Sequence, residues 1–146
     1  MMLWGNMTHP YQDAGMGFSN SSNLSYGVYE NRSWSVPHLV TYMESHDEER
    51  MMFKNITFGN ATNTDHNASD LFVALGRMRA AATIFLLQPG PKMIWQFGEL
   101  GYDISIVLSA RPVGSSLNQQ KDQERSMMDL SVWIHQSLSP SDDTTP

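Results

Sequence analysis

The sequence predicts an α/β chain with parallel strands, and three stretches carry that reading. An apolar run, Leu39 to Met43, leads into a charged cluster, His46-Asp47-Glu48-Glu49-Arg50. A stretch with helical spacing follows, in which Leu71, Leu75, Met78, Ala82 and Phe85 recur four and three apart. A turn at Gln88-Pro89-Gly90-Pro91 then precedes a second apolar run, Met93 to Phe97, which ends in a loop containing Glu99 and Asp103. Strand, polar loop, helix, turn, strand, polar loop is a β-α-β unit. Because both polar clusters follow strand ends, a right-handed parallel unit brings them to one edge of the sheet.

Taken in order, Met1 to Trp4 reads as a short strand running into the Gly5-Asn6 loop. Residues 8 to 35 are rich in Asn, Ser, Gly, Tyr and Trp and have no apolar period, so they are expected to form a long loop, a length that usually signals binding. Tyr11, Phe18, Tyr26, Tyr29 and Trp34 either stack on sugar faces or pin that loop to the body of the protein. Pro37 suits the start of the next strand. Met51 to Phe53 is expected to be a short helical turn, and residues 54 to 67 a second polar loop. The following helix has Asn67 or Ser69 as its expected N-cap, with Asp70 in the first turn, where negative charge suits the dipole. Beyond Asp103, Ile104 to Leu108 reads as a strand, Leu117 to Leu138 as a helix and residues 139 to 146 as a disordered polar tail.

Composition narrows the partners. Nine basic against fifteen acidic residues give a net charge of -6 over 146 residues, which disfavours nucleic acid as a main partner. A neutral sugar polymer would not be repelled. Without cysteine the chain has neither disulfides nor thiolate metal sites. The longest apolar run, Ala80 to Leu87, falls far short of the roughly 20 residues that span a bilayer, so no membrane segment is expected. Met1 to Pro10 lacks the basic start and apolar run of a secretory signal. His66 and His135 have no partner spacing, and no metal site is expected.

Tyr42, His46, Asp47 and Arg50 resemble the fourth sequence region of the α-amylase superfamily, glycoside hydrolase family thirteen. There an aromatic residue, a spacer, His-Asp and often a following Arg close the seventh strand. Gly90, Ile94, Gln96, Glu99 and Gly101 are similar to its eighth-strand region, and Met1 to Asn6 resembles the sixth strand in one bacterial branch. Residues 1 to 103 are thereby identified as the C-terminal part of a (β/α)8 TIM barrel, about its sixth to eighth strands. A whole barrel takes about 250 residues, so the resemblance implies a fragment. Two departures bear on pocket shape: Glu44-Ser45 replaces a frequent Asn-Asn pair, and Phe97 stands where Gly is common.

The resemblance implies retaining cleavage of an α-glucan such as starch or of an oligosaccharide, by a nucleophilic carboxylate and an acid carboxylate. In the family those two come from strands that would precede Met1, so the chain alone is expected to be inactive. Asp47 matches the third acidic residue, which stabilises the oxocarbenium-like transition state, and His46 matches the histidine that binds a hydroxyl of the same ring. Tyr42 and Arg50 fill substrate-binding places, Arg50 alternatively pairing with a carboxylate. Glu99 supports the pocket floor from behind. Glu44, Glu48 and Glu49 read as a solvated charge cluster. No cofactor is expected, although calcium occurs in many relatives. The resemblance stops after Asp103, leaving residues 104 to 146 unassigned and open to a frameshifted origin. A partial barrel would leave strand edges bare, so self-association is expected. The alternative is a carbohydrate-binding or structural remnant without catalysis. A metal-dependent His-Asp phosphohydrolase, the other enzyme class with this dipeptide, requires further ligands on an all-helical scaffold.

Overall fold

The structure is a computed structural model that describes residues 1–106. Among them three parallel strands, β1 (Leu3–Asn6), β2 (Leu39–Tyr42) and β3 (Lys92–Met93), form one sheet in the order β1-β2-β3. The register pairs Asn6 with Tyr42 and Tyr42 with Met93, so the three strands end together. Whatever follows these residues emerges at one edge.

The fold is a small open α/β domain, which corrects the expected partial TIM barrel. A barrel has no edges because its strands tilt and close in a ring. Here, among the described residues, β1 and β3 are outer strands, four and two residues long, each paired on one side only. β1 begins two residues later than expected and takes in Gly5 and Asn6. β3 stops at Met93 because the chain beyond it bends, with the Gly98 amide donating to the Trp95 carbonyl at 3.0 Å.

Among the described residues three α-helices accompany the sheet: α1 (Thr8–Met16), α2 (Met51–Phe58) and α3 (Leu71–Leu87). Helix α1 corrects the expected structureless loop. It carries Pro10 in its first turn, where a missing N–H costs nothing, and ends at Gly17, whose φ of 88° no β-carbon obstructs. Local pattern does not announce this helix; packing makes it. Tyr11 is fully buried edge-on to Phe85, ring centroids 5.9 Å apart, and that burial pushes its phenol up to about 12. Two short 3-10 turns, Leu24–Gly27 and Tyr29–Arg32, occupy the rest of that stretch. Arg32 lies over the Tyr26 ring at 3.9 Å. Helix α2 runs to Phe58 rather than ending as a single turn. The polar loops are shaped by their own side chains: Asn23, Asn60 and Asn67 each accept the amide and hydroxyl of the Ser or Thr two residues on.

Asp70, not Asn67 or Ser69, caps α3, accepting from the Phe72 and Val73 amides. The buried face of α3 is Ala74, Met78, Ala81 and Phe85, rotated from the expected stripe, with which it shares Met78 and Phe85. Leu71 is exposed and Leu75 only partly buried. Apolar residues almost encircle this helix, so spacing alone admits several stripes. Packing selects the one whose two alanines allow α1 and α2 to approach. The core lies among the helices: Met7, Tyr11, Met51, Met52, Ala74, Met78, Ala81 and Phe85 form one buried cluster. Ile104 and Ser105 are irregular rather than strand. Ile106 is not strand either, while Val107 and Leu108, the expected helix from Leu117 and the polar tail lie outside the described residues. No helix among the described residues is long and apolar enough to cross a membrane.

Candidate functional site at the C-terminal edge of the sheet

The segment after β2, residues 43 to 50, carries most of the sequence-predicted site. Tyr42, the last strand residue, is half-buried and meets Trp4 of β1 edge-on, centroids 6.1 Å apart. Burial, then the charges of Glu48 and Asp47, raise its phenol above the ordinary value. His46 Nε2 lies 3.2 Å from Asp47 Oδ1, with the two side chains 71% and 69% exposed. An exposed pair of this kind adds little to stability. Its availability to a ligand is the more relevant property.

The ring of His46 sits beside Trp95, centroids 5.8 Å apart, so the loop after β2 and the chain just beyond β3 meet. Trp95 was not singled out by the sequence reading, although it stands within the matched run that leads to Glu99. Glu99 itself is exposed, in the 3-10 turn Gly98–Leu100. Its charge reaches Glu44, whose pKa it helps to raise.

Arg50 and Glu44 correct the picture of a solvated cluster. Glu44 is 4% exposed and Arg50 5%. Glu44 Oε1 accepts a hydrogen bond from the Met51 amide at 2.7 Å, at the start of α2. Arg50 Nη1 lies 3.7 Å from Glu44 Oε2 and donates to the Gln96 carbonyl at 2.9 Å, while its guanidinium stacks over Tyr102 at 4.6 Å. Arg50 therefore takes the carboxylate-pairing option, inside the protein and not on its rim. At 3.7 Å the pair is ionic contact without a hydrogen bond, so the Met51 amide is Glu44's closer partner.

Glu48 and Glu49 are engaged as well. Glu48 accepts from Asn6 and from Ser45 Oγ, tying the loop to the end of β1. The Asp47 amide donates to the same Ser45 hydroxyl at 3.2 Å. Glu49 accepts from Ser105 Oγ at 2.6 Å, and its carbonyl accepts from Gln12. The loop bearing His46 and Asp47 is thus braced by the end of β1, by α1 and by the chain beyond β3. The signal available in the sequence was positional: Asn6, Glu44 and Gln96 all stand at or just beyond strand ends.

Of the expected sugar-stacking rings, Tyr11 belongs to the core and Tyr26 to the Arg32 contact. Among the described residues no three His, Cys, Asp or Glu side chains are grouped to hold a metal ion. Chemically, the edge offers the exposed carboxylates of Asp47 and Glu99, one imidazole and aromatic faces from Trp95, Tyr42 and Trp4. These groups suit a ligand with hydroxyls and apolar ring faces. No family model matches the chain, and no curated protein matches it.

Proposed function

We propose that this edge belongs to the sugar site of a retaining, α-glucan-active glycoside hydrolase of the α-amylase type. In this reading Asp47 stabilises positive charge on the sugar ring, and His46 holds a hydroxyl of the same ring. The observation that carries it is the meeting of His46 and Trp95 across parallel neighbours, with the Asp47 carboxylate open beside them. An imidazole, a carboxylate and an indole face together meet the needs of a pyranose: hydrogen-bond partners for hydroxyls and an apolar surface for its C–H face. Asp47 would act as a stabiliser of the transition state, its contact tightening as charge develops. Arg50, buried against Glu44, supports the loop from inside, and Tyr42 and Glu99 support it or line the neighbouring subsite.

A second reading is binding of α-glucan without cleavage. The aromatic pairs Trp4–Tyr42 and His46–Trp95, each with one exposed ring beside a half-buried one, favour it, since stacking needs no acid or nucleophile. Titration of the full chain with maltoheptaose by calorimetry, together with an assay for new reducing ends, tests both. Binding lost in Asp47→Asn and His46→Ala supports a sugar site; binding without new reducing ends favours the second reading; reducing ends released by the chain overturn the expectation that the nucleophile and acid lie outside it; no binding by the wild-type chain removes both.

A further inference from the structure

The position of His46 and Asp47 must come from the backbone that carries them. Their side chains are 71% and 69% exposed, too open for packing to hold them. That backbone is anchored at its base by Glu44. One carboxylate oxygen of Glu44 receives the Met51 amide of α2 at 2.7 Å, and the other faces Arg50, which in turn grips the Gln96 carbonyl beyond β3. The same carboxylate lies so close to Gly98 that a β-carbon there would overlap it. Glu44 therefore touches β2's own loop, the first turn of α2 and the turn after β3.

We propose that Glu44 is the positioning residue of the His46–Asp47 loop: its buried, charged carboxylate holds that loop beside Trp95, and neutralising it releases the pair. The proposal deepens the sugar-site reading and, for its consequence on ligand binding, rests on it. The groups facing Glu44 are Arg50 from its own loop, the Met51 amide from α2, and Glu99 from the turn after β3. Burial outweighs the Met51 and Arg50 contributions, and Glu99 adds to it, so the carboxyl sits above the ordinary 4.5. As pH falls, Glu44 takes up its proton ahead of exposed carboxylates. Its hold on the Met51 amide and on Arg50 then weakens.

The test is a pH series of nitrogen–proton NMR spectra of the full chain, following the His46 and Asp47 amides and the Trp95 indole N–H. The wild-type signals should show a step above the ordinary glutamate range. In Glu44→Gln that step should vanish, the signals lying at neutral pH where acid places them in the wild type. Superimposable profiles for the two proteins overturn the proposal. If Glu44→Gln does not fold, Glu44→Asp decides: it keeps the charge but falls a methylene short of Met51. It should keep the step and displace the amides; unmoved amides overturn the proposal. Maltoheptaose added at each pH separates this idea from the sugar reading. No binding with the step intact sinks the sugar reading and leaves Glu44's role standing, whereas binding without any step does the reverse.

Discussion

Arg50 Nη1 donates to the main-chain oxygen of Gln96 at 2.9 Å, joining the loop after β2 to the loop after β3 across 46 positions of sequence. Because the acceptor is a carbonyl, the contact fixes backbone to backbone through one side chain. The guanidinium also supplies the positive charge that faces buried Glu44 at 3.7 Å. Arg50→Ala would leave that carboxylate the Met51 amide but no countercharge, and breaking a buried ion pair from one side costs about 3–5 kcal/mol. Urea denaturation at neutral pH reads this directly. A loss below about 1 kcal/mol would show that Glu44 is already neutral in the folded protein.

Glu44 also sets a direction for stability against pH. Its folded-state pKa lies above the ordinary 4.5, chiefly through burial. The folded chain therefore binds this proton more readily than the unfolded chain. The associated stability is fully present below the ordinary value and is lost as pH rises through the raised one. The stability difference, wild type minus Glu44→Gln, should accordingly fall between mildly acid and neutral pH. Thermal midpoints of both proteins across that range would show it; a difference that grows with pH contradicts the burial-dominated picture.

Phe97 adopts φ 66°, a left-handed conformation that bulky residues rarely take. Its ring, 5.7 Å from Tyr102, offers some compensation. Replacing Phe97 by Ala removes the ring and keeps the strain, whereas Gly removes both. The glycine variant should exceed the alanine variant in stability by about 1 kcal/mol, the reverse of the usual order in a helix or strand. Paired denaturation curves would decide, and an alanine variant at least as stable as the glycine variant would mean the turn relaxes without it.

Asp47→Asn should separate function from stability. The side chain is 69% exposed, and substitutions at such positions usually change stability by less than about 0.5 kcal/mol. If Asp47 faces a sugar, the same change should cost about tenfold or more in maltoheptaose affinity, equal to about 1.4 kcal/mol. Calorimetry and a melting curve on one preparation give both values. Unchanged affinity would remove Asp47 from the site.

Much of the local order can be read along the chain. The runs at 39 to 43 and 93 to 97 bracket a stretch of helical spacing, and from that order alone the loops bearing His46, Asp47 and Glu99 are expected at one edge. The parallel register of β2 and β3 puts them there. Helix α1 was not readable, because its Pro10, Gly15 and scattered polar residues make no stripe; it exists through Tyr11 against Phe85 and Gly15 against Asn55. Glu44 was misread for a related reason. A glutamate followed by Ser-His-Asp-Glu-Glu resembles a solvated run, and nothing local reveals the amide and guanidinium that bury with it.

The sequence by itself determined the α/β class, the strand–helix–strand order and the neighbouring placement of the two polar loops, since apolar period and turn chemistry act between residues a few positions apart. Only the tertiary structure decided that the sheet stays open, which face of α3 is buried, and that Glu44 and Arg50 lie inside. Those outcomes depend on contacts between distant segments: whether an edge finds another strand, which ridge fits a neighbouring helix, and whether a charge leaving water meets its partner.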